Sequence, residues 1–76
     1  MARSFIMVKA DTGRARALLE RFSDLDYIAD ANVVAGDIDI VLEAEADEVA
    51  DIIDSVATNV RAIEGVVDTK TYVCLE

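Results

Sequence analysis

Most of the residues whose type and spacing could do chemistry fall in two short clusters, Gly36-Asp37-Ile38-Asp39 in mid-chain and Thr69 with Thr71 near the end, with Cys74 close behind. Backbone amides beside a glycine can meet a carboxylate and an aspartate can meet an ammonium, so Gly36, Asp37 and Asp39 suit a small molecule carrying both charges. Two threonines at i and i+2 project from one side of a strand and can present their hydroxyls together. Both clusters also have plainer readings: Gly-Asp makes turns, and threonine is a good strand residue.

Catalytic patterns are lacking. There is no histidine for proton transfer, and the single cysteine has neither a histidine nor a second thiol to act with. No phosphate-binding glycine loop and no nucleophile with an adjacent base is present. Cys74 is expected to be a buried packing residue. Glu48, Asp51 and Asp54 lack calcium-loop spacing and read as a solvated helix face. The sequence therefore points to a domain that binds but is not an enzyme, with no metal and no cofactor.

The elements that must position these clusters follow from periodicity. Phe5 to Ala10 is a short apolar run before a turn signal at Asp11-Thr12-Gly13, which predicts a strand. Ala15, Leu18, Leu19 and Phe22 then fall on one face of a helix that Asp11 or Thr12 can cap. Gly36-Asp37 divides two extended segments and predicts a hairpin with a two-residue loop. That pairing sets Ala35 opposite Ile38, Val33 opposite Ile40, Ala31 opposite Leu42 and Ala29 opposite Ala44, an apolar side. The reverse side pairs Val34 with Asp39, Asn32 with Val41 and Asp30 with Glu43. Asp47 suits an N-cap, and Val49, Ile52, Ile53, Val56, Ala57, Val60 and Ile63 follow the helical repeat up to Gly65. Val66 to Leu75 suits a last strand whose core face is ambiguous.

The order β-α-β-β-α-β predicts an α+β, ferredoxin-like fold: a four-stranded antiparallel sheet with two helices on one face. Phe5, Met7, Val34 and Val41 then lie on the uncovered side, where a partner should meet them. Asn32 is expected at the same subunit contact.

The strand Phe5-Ile6-Met7-Val8-Lys9, the segment Ala31 to Ile40 with its Gly36-Asp37-Ile38-Asp39, and the end Ile63-Glu64-Gly65-Val66 with Thr69-Lys70-Thr71 together resemble the effector-sensing (RAM) domain of the Lrp/AsnC regulators. The Gly-x-x-Asp hairpin signature and the I-x-G-V entry to the last strand carry the likeness over nearly the whole chain. An aromatic residue often stands in that signature where this chain has Ile38. The resemblance implies a dimer made by facing open sheet sides, assembly of dimers into rings such as octamers, and a small effector, an amino acid, bound at subunit contacts. Gly36, Asp37 and Asp39, with the hydroxyls of Thr69 and Thr71, are the residues whose chemistry is expected to hold such an effector. Because the first strand begins almost at once, the expectation is a stand-alone form, residues 1–76, without the helix-turn-helix module. Such a form would act indirectly on transcription, for example by co-assembly with full-length Lrp/AsnC regulators. Two other readings share the element order: an ACT-type amino-acid-binding domain, for which Gly13 sits suitably, and a dimeric α+β barrel enzyme.

Composition sets the remaining bounds. With 76 residues, 54 % apolar, three glycines and no proline, the chain is one domain, and a domain this short gains from association. Sixteen acidic against seven basic residues give a net charge of -9, which disfavours nucleic acid and anionic membrane surfaces as direct partners. A single cysteine and the lack of a signal-like or ~20-residue apolar stretch predict a cytoplasmic protein. The acidic, lysine-poor surface suits a halophilic, salt-rich cytoplasm, with structure expected to weaken below about 0.5 M salt.

Overall fold

The computed structural model describes residues 1–75. Its elements are β1 (Ala2–Ala10), α1 (Ala15–Ser23), β2 (Ile28–Val33), β3 (Ile40–Ala46), α2 (Val49–Asp51), a π-helical segment (Ile52–Val56), α3 (Ala57–Arg61) and β4 (Val66–Val73). The segments from Val49 to Arg61 run on without a break and form one second helix. The sheet order is β2-β3-β1-β4, with every neighbour antiparallel, which is the predicted ferredoxin-like α+β arrangement.

The core lies between the sheet and the helices. Ile6 and Val8 from β1, Ile40, Leu42 and Ala44 from β3, Leu18 and Phe22 from α1, and Val56 and Val60 from the second helix form one buried cluster. Alternation in β1 and β3 sends these side chains to one face, and each large one contributes about 2 kcal/mol by leaving water. β1 starts earlier than its apolar run suggests, because Ala2, Arg3 and Ser4 pair with Ala46, Glu45 and Ala44.

The last strand resolves its ambiguous face with a register shift. Ala10 pairs with Val66 but Lys9 with Asp68, leaving Val67 unpaired and 56 % exposed. A bulge of this kind lets Val66 pack on the core while Thr69, Thr71 and Val73, opposite Val8, Ile6 and Ser4, face the helices too. Asp68, Lys70 and Tyr72 take the open side.

Four local expectations need correction. Neither Asp11 nor Thr12 caps α1: the N-cap is Arg14, without a side-chain bond, and the Asp11 carbonyl instead accepts from Arg14 N–H at 3.0 Å. Gly13, at φ 80°, supplies the third position of that turn and so moves the helix start past both candidate caps. The second helix is capped at Glu48, not Asp47, again without a side-chain bond. Within it, Ala57 N–H donates to the Ile52 carbonyl five residues back, and this wider turn rotates Val49 and Ile53 out of the stripe, to 44 % and 56 % exposure. Finally, the hairpin keeps the pairs Val33–Ile40, Asn32–Val41, Ala31–Leu42 and Asp30–Glu43, but a second bulge places Ile28, not Ala29, opposite Ala44.

Candidate functional site

The connection between β2 and β3 is longer than a two-residue turn. The strands end at Val33 and restart at Ile40, and Val34 N–H donates to the Asp39 carbonyl at 2.8 Å to close a loop over residues 34–39. Gly36 adopts a positive φ of 154° inside it. The reason for the longer loop lies in Asp39. Its N–H donates to the Val8 carbonyl at 3.0 Å, and its carboxylate Oδ2 accepts from Ala10 N–H at 2.8 Å, so it fastens the loop to the end of β1 instead of continuing β3. Lys9 Nζ reaches the Asp37 carbonyl at 3.4 Å from the same strand end.

This fastening creates a depression of about 180 Å³ lined by Met7, Lys9, Asp37, Ile38, Asp68, Thr69 and Lys70. Two ammonium groups and two carboxylates stand around the apolar Met7 and Ile38. A ligand with a carboxylate, an ammonium and a short side chain can find a counterpart for each there.

Of the five residues expected to bind an effector, Asp37 and Thr69 line this depression, while Gly36 and Asp39 belong to the loop that walls it. Thr71 does not: it shares a side with Thr69, as expected, but that side faces the helices, opposite Ile6. Thr69 is itself buried, and its Oγ1 accepts from Arg61 Nε at 3.4 Å. Nothing in the types or spacing of Lys9, Asp68 and Lys70 marks them as lining residues. The available signal was the opposite charges beside the glycine-bearing loop, but it needs the β1–β4 register, Lys9 opposite Asp68 and Met7 opposite Lys70, to become visible.

The open side of the sheet carries Phe5, Met7 and Val41, all half-buried, with Val34 half-buried in the loop and Asn32 exposed on the edge strand. Tyr72, 57 % exposed, stands opposite Phe5 and extends the apolar row. Around it the charged groups have polar partners. Arg3 holds its guanidinium 5.5 Å from the Phe5 ring centroid and 3.7 Å from Glu43, and Asn32 Nδ2 donates to Asp30 Oδ2 at 3.2 Å. These contacts temper the like-charge pair Asp30 and Glu43.

At the far end of β1, Met1, Arg3, Glu45, Cys74 and Leu75 line a wider hollow of about 460 Å³. Cys74 is half-buried there, not fully buried as expected, because its amide is bound to the Arg3 carbonyl at the margin of the sheet. A hydrogen bond with Cys74, helped by the nearby Glu43 carboxylate, holds the Arg3 pKa above its ordinary value. Among the described residues no group of three or more His, Cys, Asp or Glu is placed to hold a metal ion, and no helix is long and apolar enough to cross a membrane.

The model of the Lrp/AsnC ligand binding domain matches residues 3–76. No curated protein matches the chain. Among solved structures, TTHA0845 from Thermus thermophilus superposes with a TM-score of 0.90 at 26 % identity, over 100 % of this chain and 95 % of that one. FFRP-DM1 gives 0.92 at 23 % identity, over 99 % of this chain and 100 % of its own. The transcriptional regulator NMB0573 from Neisseria meningitidis, solved as a complex with L-Met, gives 0.75 at 16 % identity; the match covers 99 % of this chain and 50 % of that protein.

Proposed function

The chain belongs to the Lrp/AsnC ligand-binding family, and from that premise we propose that it senses a free amino acid in the depression beneath the loop over residues 34–39. The observation that carries this reading is the lining itself. Lys9 and Lys70 meet the ligand's carboxylate, Asp37 meets its ammonium, and Met7 and Ile38 receive its side chain. Asp39 acts as a positioning residue, since its carboxylate is already held by the Ala10 amide. The L-Met bound by NMB0573 supports the choice of ligand class.

The single domain works as a homo-oligomer. Phe5, Val41 and Tyr72 meet the same residues of a second copy, Met7 stands where that contact borders the depression, and a ligand held at this rim stabilises whichever assembly completes its pocket. Regulation of transcription is then indirect, through co-assembly with longer regulators in the cytoplasm. The domain has no catalytic role of its own.

A thermal-shift screen of the twenty amino acids in high salt, followed by light scattering, tests the reading. At least one amino acid should raise the melting midpoint and change the particle mass, and Asp37→Ala should abolish that response while leaving the unliganded midpoint nearly unchanged. Silence toward all twenty would remove the sensor reading.

A further inference from the structure

The sheet has two free edges, β2 and β4, and the hydrogen bonds at their ends show which amides point away from any neighbour. Val34 N–H donates to Asp39 on the β3 side, so the amides of Asn32 and Asp30 share that direction, and those of Ala31 and Val33 point outward. Cys74 N–H donates to Arg3 on β1, so the amides of Tyr72 and Lys70 also face β1, and those of Thr69 and Thr71 point outward.

On each edge an aspartate folds back over one outward amide. Asp30 Oδ1 accepts from Ala31 N–H at 3.0 Å, and Asp68 Oδ1 accepts from Thr69 N–H at 2.9 Å. The surroundings match step for step. Before β2, Leu25 N–H donates to Phe22 at 3.0 Å and Ile28 N–H to Leu25 at 3.1 Å; before β4, Ile63 N–H donates to Val60 at 3.3 Å and Val66 N–H to Ile63 at 3.1 Å. The next residue, Ala29 or Val67, falls at a register shift, and the aspartate follows it. Each bulge sets the phase of the strand so that a short acidic side chain precedes an outward-pointing donor.

We propose that Asp30 and Asp68 are edge guards that stop further copies of this chain from extending the sheet by strand addition. An incoming strand must find free donors at alternate residues along the edge. Here it would have to displace a carboxylate from one of them and strip water from that charge, leaving Asp68 without the donor it had and Asp30 with only the one from Asn32 Nδ2. The guards act on the two edges, whereas the association described above uses the open face, so the one mode is blocked while the other stays available.

Amide hydrogen exchange on the unaltered protein tests the first half. The Ala31 and Thr69 amides should exchange about fivefold or more slowly than Val33 and Thr71, the ratio that one net hydrogen bond provides. Equal rates would overturn the guard role. The second half is read from Asp30→Ala and Asp68→Ala, with Asp51→Ala as an exposed helix control for the loss of charge. Light scattering and the infrared band of intermolecular strands should show growth for the two edge variants and none for the control. Growth of Asp51→Ala to the same extent would assign the effect to net charge and sink the proposal. Asp30→Asn and Asp68→Asn keep an acceptor oxygen and should stay near the parent; if they grow as fast as the alanine variants, covering the amide is not what protects the edge.

Discussion

The Ser4 side chain is fully buried between the sheet and the helices, and among the described residues its hydroxyl has no hydrogen-bond partner. A hydroxyl stripped of water without a partner costs about 1–3 kcal/mol. Ser4→Ala should therefore raise stability, by about 1 kcal/mol, read as a higher urea midpoint at unchanged slope. A lower midpoint would mean that the hydroxyl is satisfied in solution. Asp39 is the opposite case, a polar group whose bonds were invisible in the sequence. Its type and its place after Gly36 suggested a ligand contact, yet its carboxylate closes on the backbone of Ala10. Residue types point to the loop over residues 34–39, where Asp37 borders the depression, but they do not show that the Thr69 hydroxyl turns away from it toward Arg61. They did not mark Lys9 and Lys70, because a lysine on a strand becomes informative only when the neighbouring strand is in register.

Elements were legible to the extent that their period was undisturbed. The hairpin register from Asp30 to Glu43 could be derived because a period of two allows no partial slip. It failed at Ala29, where a bulge adds one residue and no residue type announces it. The second helix shows the same limit. A repeat of 3.6 residues per turn predicts its stripe, but the π-helical segment over Ile52–Val56 advances the phase and sends Ile53 outward beside the fully buried Ile52. These adjacent isoleucines should thus respond very differently. Ile52→Ala should cost about 2–5 kcal/mol, as a cavity in a packed core does, while Ile53→Ala should stay within about 0.5 kcal/mol. Chemical denaturation of the two variants distinguishes this phase from that of a regular helix, in which both would lie on the buried stripe.

At the level of the whole molecule, a net charge of -9 on 76 residues acts against a small core. The carboxylates of Glu48, Asp51 and Asp54 on the second helix, and of Asp30 and Asp68 on the edges, are all exposed, where salt screens them well. The melting midpoint should rise steadily as salt is raised from about 0.1 M, with a screening length near 10 Å, toward 1 M, where it is near 3 Å. A flat profile would show that self-repulsion is minor. The global architecture was the most legible level of all, since the order of the elements and the handedness of their crossovers leave few arrangements.

The two joints from helix to edge strand are built alike, and the first and last strands lie side by side, with Ser4 opposite Val73 and the Cys74 amide bound to Arg3. The described residues are thus close to two interlocked copies of a β-α-β hook, with the start of β1 beside the end of β4. Opened between residues 34 and 39 and spliced across the gap beside Arg3 and Cys74, a circular permutant would keep every strand neighbour and give up only the loop that walls the candidate pocket.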